Sequence, residues 1–354
     1  MLLQQVKTNF LRPSADLALL LLVILVLLPI TTTAFSVSTL TSLSPQNPPP
    51  PKGGMSVGIT PREFLMERPP GPYTCLRARD GALLGFDFHM QRLMHAIRAS
   101  GGSGSRVQEK EMRIQVLDVI AGALEDAALL RRVEESGEQK PFKTPIDAFV
   151  TVHAAISSSS LSSGLVLNAH AVTMPYAIMP PAITLEVRGD GRQHPEIKHS
   201  RWVRDRQELE RFRSGPGGEV ALSRPVGSGR DREVLEGLVS NIFAVKGGKL
   251  VTAQDGVLPG HMRSMTLEAA RSLGVPVGEV NDCLRIEEIG EWEEAFLTGS
   301  GRVLVPIGRV EGTSVGLSGV DLPMAPGPMT NLLRARLLFD MNEGWEGMEE
   351  LRRM

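Results

Sequence analysis

The sequence of 354 residues is poor in cysteine and carries almost no excess charge. Its two cysteines, Cys75 and Cys283, cannot form a disulfide framework and have no metal-type spacing. The seven histidines show no paired ligand spacing, which argues against a built-in metal site. A net charge of −2 leaves no electrostatic footprint for a nucleic acid partner. There is no Asn-x-Ser/Thr sequon, no internal repeat, and only one long apolar run, at the extreme N-terminus. What remains is ordinary globular composition, 42% hydrophobic and 22% charged, which excludes a fully disordered chain.

The apolar run extends from Leu17 to Ile30, after Lys7 and Arg12 and before Thr32-Thr33-Ala34. A basic flank, a short apolar run and a small-residue exit define a signal peptide over residues 1–34. At about 14 residues the run is too short to span a bilayer comfortably, so no stable membrane span is expected in the mature form. Residues 35–60 are rich in Ser, Thr and Pro and contain no acid, the next along the chain being Glu63. Acid-poor, Ser/Thr-rich segments are typical of transit peptides. The pair is similar to a two-part plastid leader and predicts a plastid location, with secretion as the alternative.

Beyond the leader, Tyr73–Arg77 reads as a strand that turns at Asp80-Gly81 into a second strand near Leu83-Leu84. His89–Ala99 reads as a helix. Met112, Val116, Ile120, Ala123, Ala127 and Leu130 recur at helical spacing and predict a long amphipathic helix. Two strands follow, Ala148–Ile156 and Leu165–Val172, around the Ser157–Ser163 loop. Three prolines between Met174 and Pro181 mark a boundary between a lobe at 61–175 and another at 182–354. The second lobe shows short strands from Ile183, Val220, Asn241, Leu250, Ala295 and Val303, with helices over Arg201–Arg211, Met262–Leu273 and Leu332–Met341. Strands that alternate with so few helices describe an α+β fold rather than a regular doubly wound sheet.

Four segments carry candidate chemistry. Lys198 follows a strand, and a lysine that becomes buried can lose its proton and attack a carbonyl carbon. Glu236 stands in an apolar setting between strands, where an acid needs a partner. Gly260 leads into a helix whose first free amides, near His261 and Met262, suit an anion. Gly299-Ser300-Gly301 follows a strand and exposes amides and a hydroxyl suited to a phosphate. The Gly101–Gly104 stretch has no preceding strand, so a phosphate loop is not expected there.

In this order and spacing, the segments resemble the fold-type IV (class IV) pyridoxal-phosphate enzymes: branched-chain and D-amino-acid aminotransferases and aminodeoxychorismate lyases. The matching residues are Tyr73–Arg77, Asp80-Gly81, His89–Leu93, Ile197-Lys198-His199, Glu236-Gly237, Ser240–Phe243, Leu258-Pro259-Gly260 with Arg263, Leu297–Ser300 and Val305-Pro306. The resemblance implies a smaller α/β N-terminal lobe and a larger C-terminal lobe with a barrel-like sheet, paired as a homodimer. It implies pyridoxal 5′-phosphate held as a Schiff base by the catalytic Lys198, which also shuttles the substrate proton. Glu236 would keep the pyridine nitrogen protonated, and Leu258 would pack on the ring. Arg92, the backbone at His261 and Met262, Gly299 and Ser300 would hold the phosphate. The implied reaction is amino transfer between an amino acid and a 2-keto acid. Lyase chemistry on aminodeoxychorismate, or cofactor binding without catalysis, are the alternatives. The sequence departs from branched-chain enzymes at Val203, where a tyrosine is usual, and at His261-Met262 and Ser300.

Overall fold

A computed structural model describes residues 59–101, 108–134, 147–156, 165–174, 179–215, 217–227, 231–279 and 282–354. The expected leader lies outside the described residues except for residues 59 and 60. So do most of the 101–104 loop, the 157–163 loop and residues 175–178 of the boundary.

The described chain opens on a short helix α1, Pro61–Met66. Its start is set by a reciprocal cap: the Thr60 side chain accepts from Glu63 N, and the Glu63 carboxylate accepts from Thr60 N at 2.7 Å. Strand β1, Tyr73–Arg79, then turns into β2, Ala82–Leu84, through Asp80 and Gly81. Both turn residues have positive φ, 47° and 77°, the pairing that lets a two-residue turn follow the twist of its strands. Helices α2, Phe86–Ala99, and α3, Glu109–Glu134, precede two long strands, β3 at Asp147–Ile156 and β4 at Leu165–Thr173. The sheet runs β2-β1-β3-β4, and a C-terminal strand at Trp345–Gly347 (β13) completes its other edge beside β2. Leu76, Met90, Leu93, Val116, Ile120, Val150 and Val152 form the core between this sheet and its helices. Their spacing, alternate on strands and every third or fourth residue on helices, is why these segments fold this way.

The second sheet contains β5 (Ile183–Asp190), β6 (Glu219–Pro225), β7 (Arg232–Gly237), β8 (Asn241–Lys246), β9 (Lys249–Val251), β10 (Trp292–Gly299), β11 (Val303–Gly312) and β12 (Leu317–Asp321). Its order is β10-β11-β5-β6-β7-β8, and β10 pairs again with β8, so six strands close into a barrel. Closure removes the unpaired edges of an open sheet. Strand β5 runs parallel to both β11 and β6, while the other pairs are antiparallel. Leu185, Val187, Ala221, Val234, Ile242, Leu297 and Val305 belong to the barrel core. Helices α6, His261–Ser272, and α7, Pro328–Glu343, cover one side through Met262, Ala269, Leu333 and Leu337. The last helix, Met348–Arg353, returns to α3.

One expected helix is broken. Residues 201–211 form two short pieces, α4 (Arg201–Asp205) and α5 (Gln207–Glu210). Arg206 stands at the join with ψ of −4°, short of the helical value. Its guanidinium is pinned to Glu210 at 2.9 Å. Glu236 also differs from its expected place between strands, because it lies within β7.

Candidate active site

A cavity of about 380 Å³ opens between the two sheets. Arg92, Lys198, Glu236, Leu258, His261, Met262, Gly299 and Ser300 all line it. These residues come from α2, the loop before α4, β7, the loop before α6, the first turn of α6 and the end of β10.

Lys198 is half-buried, and its segment is clamped by the small sheet. Tyr73 N donates to Lys198 O at 3.0 Å, Ser200 N to Gly71 O at 2.9 Å, and Gly71 N to Ser200 Oγ at 2.9 Å. The Lys198 Nζ lies 4.7 Å from the Tyr73 ring centroid. Among the described residues no carboxylate forms a direct ion pair with it, and the charge it meets in the cavity is that of Glu236. Val203 is buried in an apolar cluster with Phe64, Leu65 and Tyr73.

Glu236 is buried, and the partner it requires is Arg192, whose Nε donates to Oε1 at 2.7 Å. Oε2 accepts from Leu258 N at 2.8 Å. Burial raises the Glu236 carboxyl above its ordinary range, while Arg192 and the Leu258 amide pull the other way. Each oxygen keeps further acceptor capacity for a ligand's N–H. Arg192 lies six residues before Lys198 and was not a sequence candidate. The signal that could have found it was the unmet need of a buried acid for a cation.

The loop before α6 is fixed from two strands. Besides the Glu236 contact, Asn241 Nδ2 donates to Leu258 O at 2.9 Å. A Cβ at Gly260 would collide with Asn241 Oδ1, so only glycine brings the helix start this close. Arg92 reaches the same loop, donating Nη1 to Pro259 O at 3.2 Å and Nη2 to Thr74 Oγ1 at 2.9 Å. Its Nε has no acceptor, and neither does the buried Thr298 hydroxyl on the cavity wall. Burial lowers the Arg92 guanidinium to about 10 and the His261 imidazole to about 4. The His261 ring packs against Phe88 and His89, with centroids 5.1 and 5.0 Å away, so its backbone rather than its ring is free to serve a ligand. Arg263 turns away and donates to Ala253 O at 2.8 Å.

Six basic side chains line the cavity, Arg62, Arg92, Arg192, Lys198, Arg206 and Arg302, against the single carboxylate of Glu236. Three of them, Arg62, Arg206 and Arg302, also pair with Glu210 or Glu219, which do not line the cavity. The balance favours anionic ligands. An orphaned guanidinium nitrogen, an unpaired hydroxyl, a glycine-dependent helix start and a buried carboxylate fit a ligand that carries both a phosphate and a basic ring nitrogen. Among the described residues no group of three His, Cys, Asp or Glu could hold a metal ion. No described helix is long and apolar enough to cross a membrane.

Residues 71–310 match the class IV amino-transferase family, and the chain belongs to that family. A probable branched-chain-amino-acid aminotransferase of Thermotoga maritima is 33% identical over 125 residues, 34% of this chain and 43% of that protein. The chloroplastic branched-chain-amino-acid aminotransferase 5 of Arabidopsis thaliana is 39% identical over 72 residues, 20% of this chain and 17% of that protein. The matched stretches thus span less than half the length of these relatives. The crystal structure of the branched-chain aminotransferase of Thermobaculum terrenum in its pyridoxal-phosphate form superposes with a TM-score of 0.55 at 16% identity. It covers 78% of this chain and 89% of that one, and at this identity it shows the fold.

Proposed function

We propose that this protein is a pyridoxal-phosphate-dependent aminotransferase that moves an amino group between an amino acid and a 2-keto acid. The observation that carries the reading is Lys198, an amine in no direct ion pair, in the same cavity as the buried Glu236. When bound, the cofactor supplies an electron sink that acidifies the substrate's α-carbon. Lys198 holds the cofactor covalently and carries the proton to and from that carbon through Nζ. Glu236, oriented by Arg192 and the Leu258 amide, pairs with the ring nitrogen. Arg92, the amides at His261 and Met262, Gly299 and the Ser300 hydroxyl hold the phosphate. Leu258, which lines the cavity, would pack against the ring.

In this proposal a lobe at 61–175 and a lobe at 182–354 enclose the cofactor, the active form is a homodimer, and the protein works in plastids. The chloroplastic relative supports the last point, and the branched-chain relatives favour transamination over lyase chemistry. The test is a screen of amino donors and keto acids with the cofactor-loaded protein. Amino exchange for at least one pair supports the reading. Rapid pyruvate and aminobenzoate release from aminodeoxychorismate, with no exchange for any pair, would replace it with the lyase.

A further inference from the structure

Two residues that do not line the cavity decide where the Arg92 guanidinium stands. Thr74, on β1, and His89, three residues before Arg92 on α2, are both 2% exposed. His89 and Arg92 therefore share one face of the helix. Arg92 Nη2 donates to Thr74 Oγ1 at 2.9 Å and to His89 Nδ1 at 3.2 Å. Thr74 Oγ1 and His89 Nδ1 are themselves 2.9 Å apart. The three groups close a triangle that ties Arg92 to a strand and to its own helix.

One placement of protons satisfies the triangle. A guanidinium only donates, so His89 Nδ1 meets it with a lone pair. The Thr74 hydroxyl accepts from Arg92 and gives its own proton to the same nitrogen. The imidazole is then neutral, with its one N–H at Nε2. A protonated ring, or the opposite tautomer, sets N–H against N–H. Burial also holds this imidazole well below its ordinary value, and Arg92, His261 and Lys198 act in the same direction. The cost falls on Nε2, which is buried without an acceptor. The His89 ring meets His261 and Phe88 edge-on, with centroids 5.0 and 5.7 Å away. A buried N–H without a partner calls for a reason. The reason here is that Nδ1 must stay bare to receive Arg92.

The rest of Arg92 shows what the triangle achieves. Nη1 is tied to Pro259 O at 3.2 Å, and the guanidinium carbon lies 5.4 Å from the Phe88 ring centroid. With both terminal nitrogens engaged, Nε alone has no acceptor. A long side chain already fixed in place loses less freedom when a ligand arrives. We infer that Thr74 and the neutral His89 are positioning residues: they lock the Arg92 fork in the orientation that leaves Nε for a ligand's phosphate. The inference rests on the proposed reading of the cavity as a cofactor site. Such a lock acts on the phosphate and not on the ring.

The test is calorimetry on full-length, cofactor-free protein with pyridoxal phosphate and pyridoxal as the two probes. Thr74→Val keeps the shape and removes the hydroxyl. It should weaken pyridoxal phosphate about tenfold, the loss expected for a hydrogen bond to a charged group, and leave pyridoxal unchanged. Thr74→Ser restores the hydroxyl and should recover the lost affinity. General damage to the cavity would weaken both probes alike, and that result, or no loss at all, overturns the inference. A second measurement is made on wild-type protein at neutral pH with histidine-selective nitrogen labelling. The His89 signal, identified by its disappearance in His89→Asn, should show a bare Nδ1 and a proton on Nε2. A doubly protonated ring, or a proton on Nδ1, overturns the lock even where Thr74→Val does not fold. Protein that exchanges amino groups while Thr74→Val shows no phosphate-selective loss keeps the proposed function and loses the lock. Protein that shows the loss yet exchanges no amino group refutes the proposed activity and leaves the lock standing.

Discussion

The two walls of the cavity are built differently. The barrel wall supplies Lys198, Glu236, Leu258, His261, Met262, Gly299 and Ser300, on strands, on the loops between them and on the first turn of α6. The facing wall supplies Tyr73 and Cys75 from β1, Phe149 from β3, Leu65 from α1 and Arg92 from α2. The first wall is polar and rests on a closed sheet. The second is mostly apolar and rests on an open sheet that ends at β4. A closed sheet holds donors and acceptors in fixed geometry, which chemistry requires. An open sheet with apolar side chains sets shape, which selects among substrates.

Replacements on the barrel wall should therefore damage the reaction, and replacements on the facing wall should redirect it. The largest effect is expected for Lys198→Ala, a fall of about 10⁴-fold in amino exchange measured in single turnover. Glu236→Ala should retain the cofactor, seen by absorbance, yet lose about 10²- to 10³-fold in kcat. Near-normal turnover in that variant would remove Glu236 from the mechanism. Arg92→Ala crosses the comparison, because its side chain belongs to the facing wall but serves the barrel's phosphate site. Its cofactor dissociation constant should rise about ten- to a hundredfold with little change in substrate preference. Phe149→Ala should change kcat/KM between large and small amino acids by about tenfold, with cofactor affinity unchanged.

The smallest effect is a pH dependence of stability. Burial lowers His261 and His153 to about 4. The unfolded chain binds protons on these rings near pH 6.5, and the folded protein does not. Stability is thus full above about pH 6.5 and falls as the pH drops toward 4. The melting temperature of the cofactor-free protein across that window checks this, and His261→Gln should flatten the slope.

The barrel wall was also the more legible one. Glycine, proline and a few polar residues at fixed spacing identified its segments, because turns and helix starts restrict which residues fit. All eight candidate residues lie on one cavity. The α+β class and most strands were readable from alternating apolar positions. Three features were not. Arg192 looks like any loop arginine until the barrel brings it to Glu236. Closure depends on β8 pairing with β10, which are distant in sequence and carry no local sign of each other. Strand β13 is three residues long, and only its partner β2 defines it.

The central claim is that Lys198 is the residue that takes the cofactor, and it can be read directly. Protein incubated with pyridoxal phosphate, reduced with borohydride and digested should yield one phosphopyridoxyl-modified peptide containing Lys198. Modification spread over surface lysines, or a single adduct on another lysine with Lys198 untouched, would contradict the account.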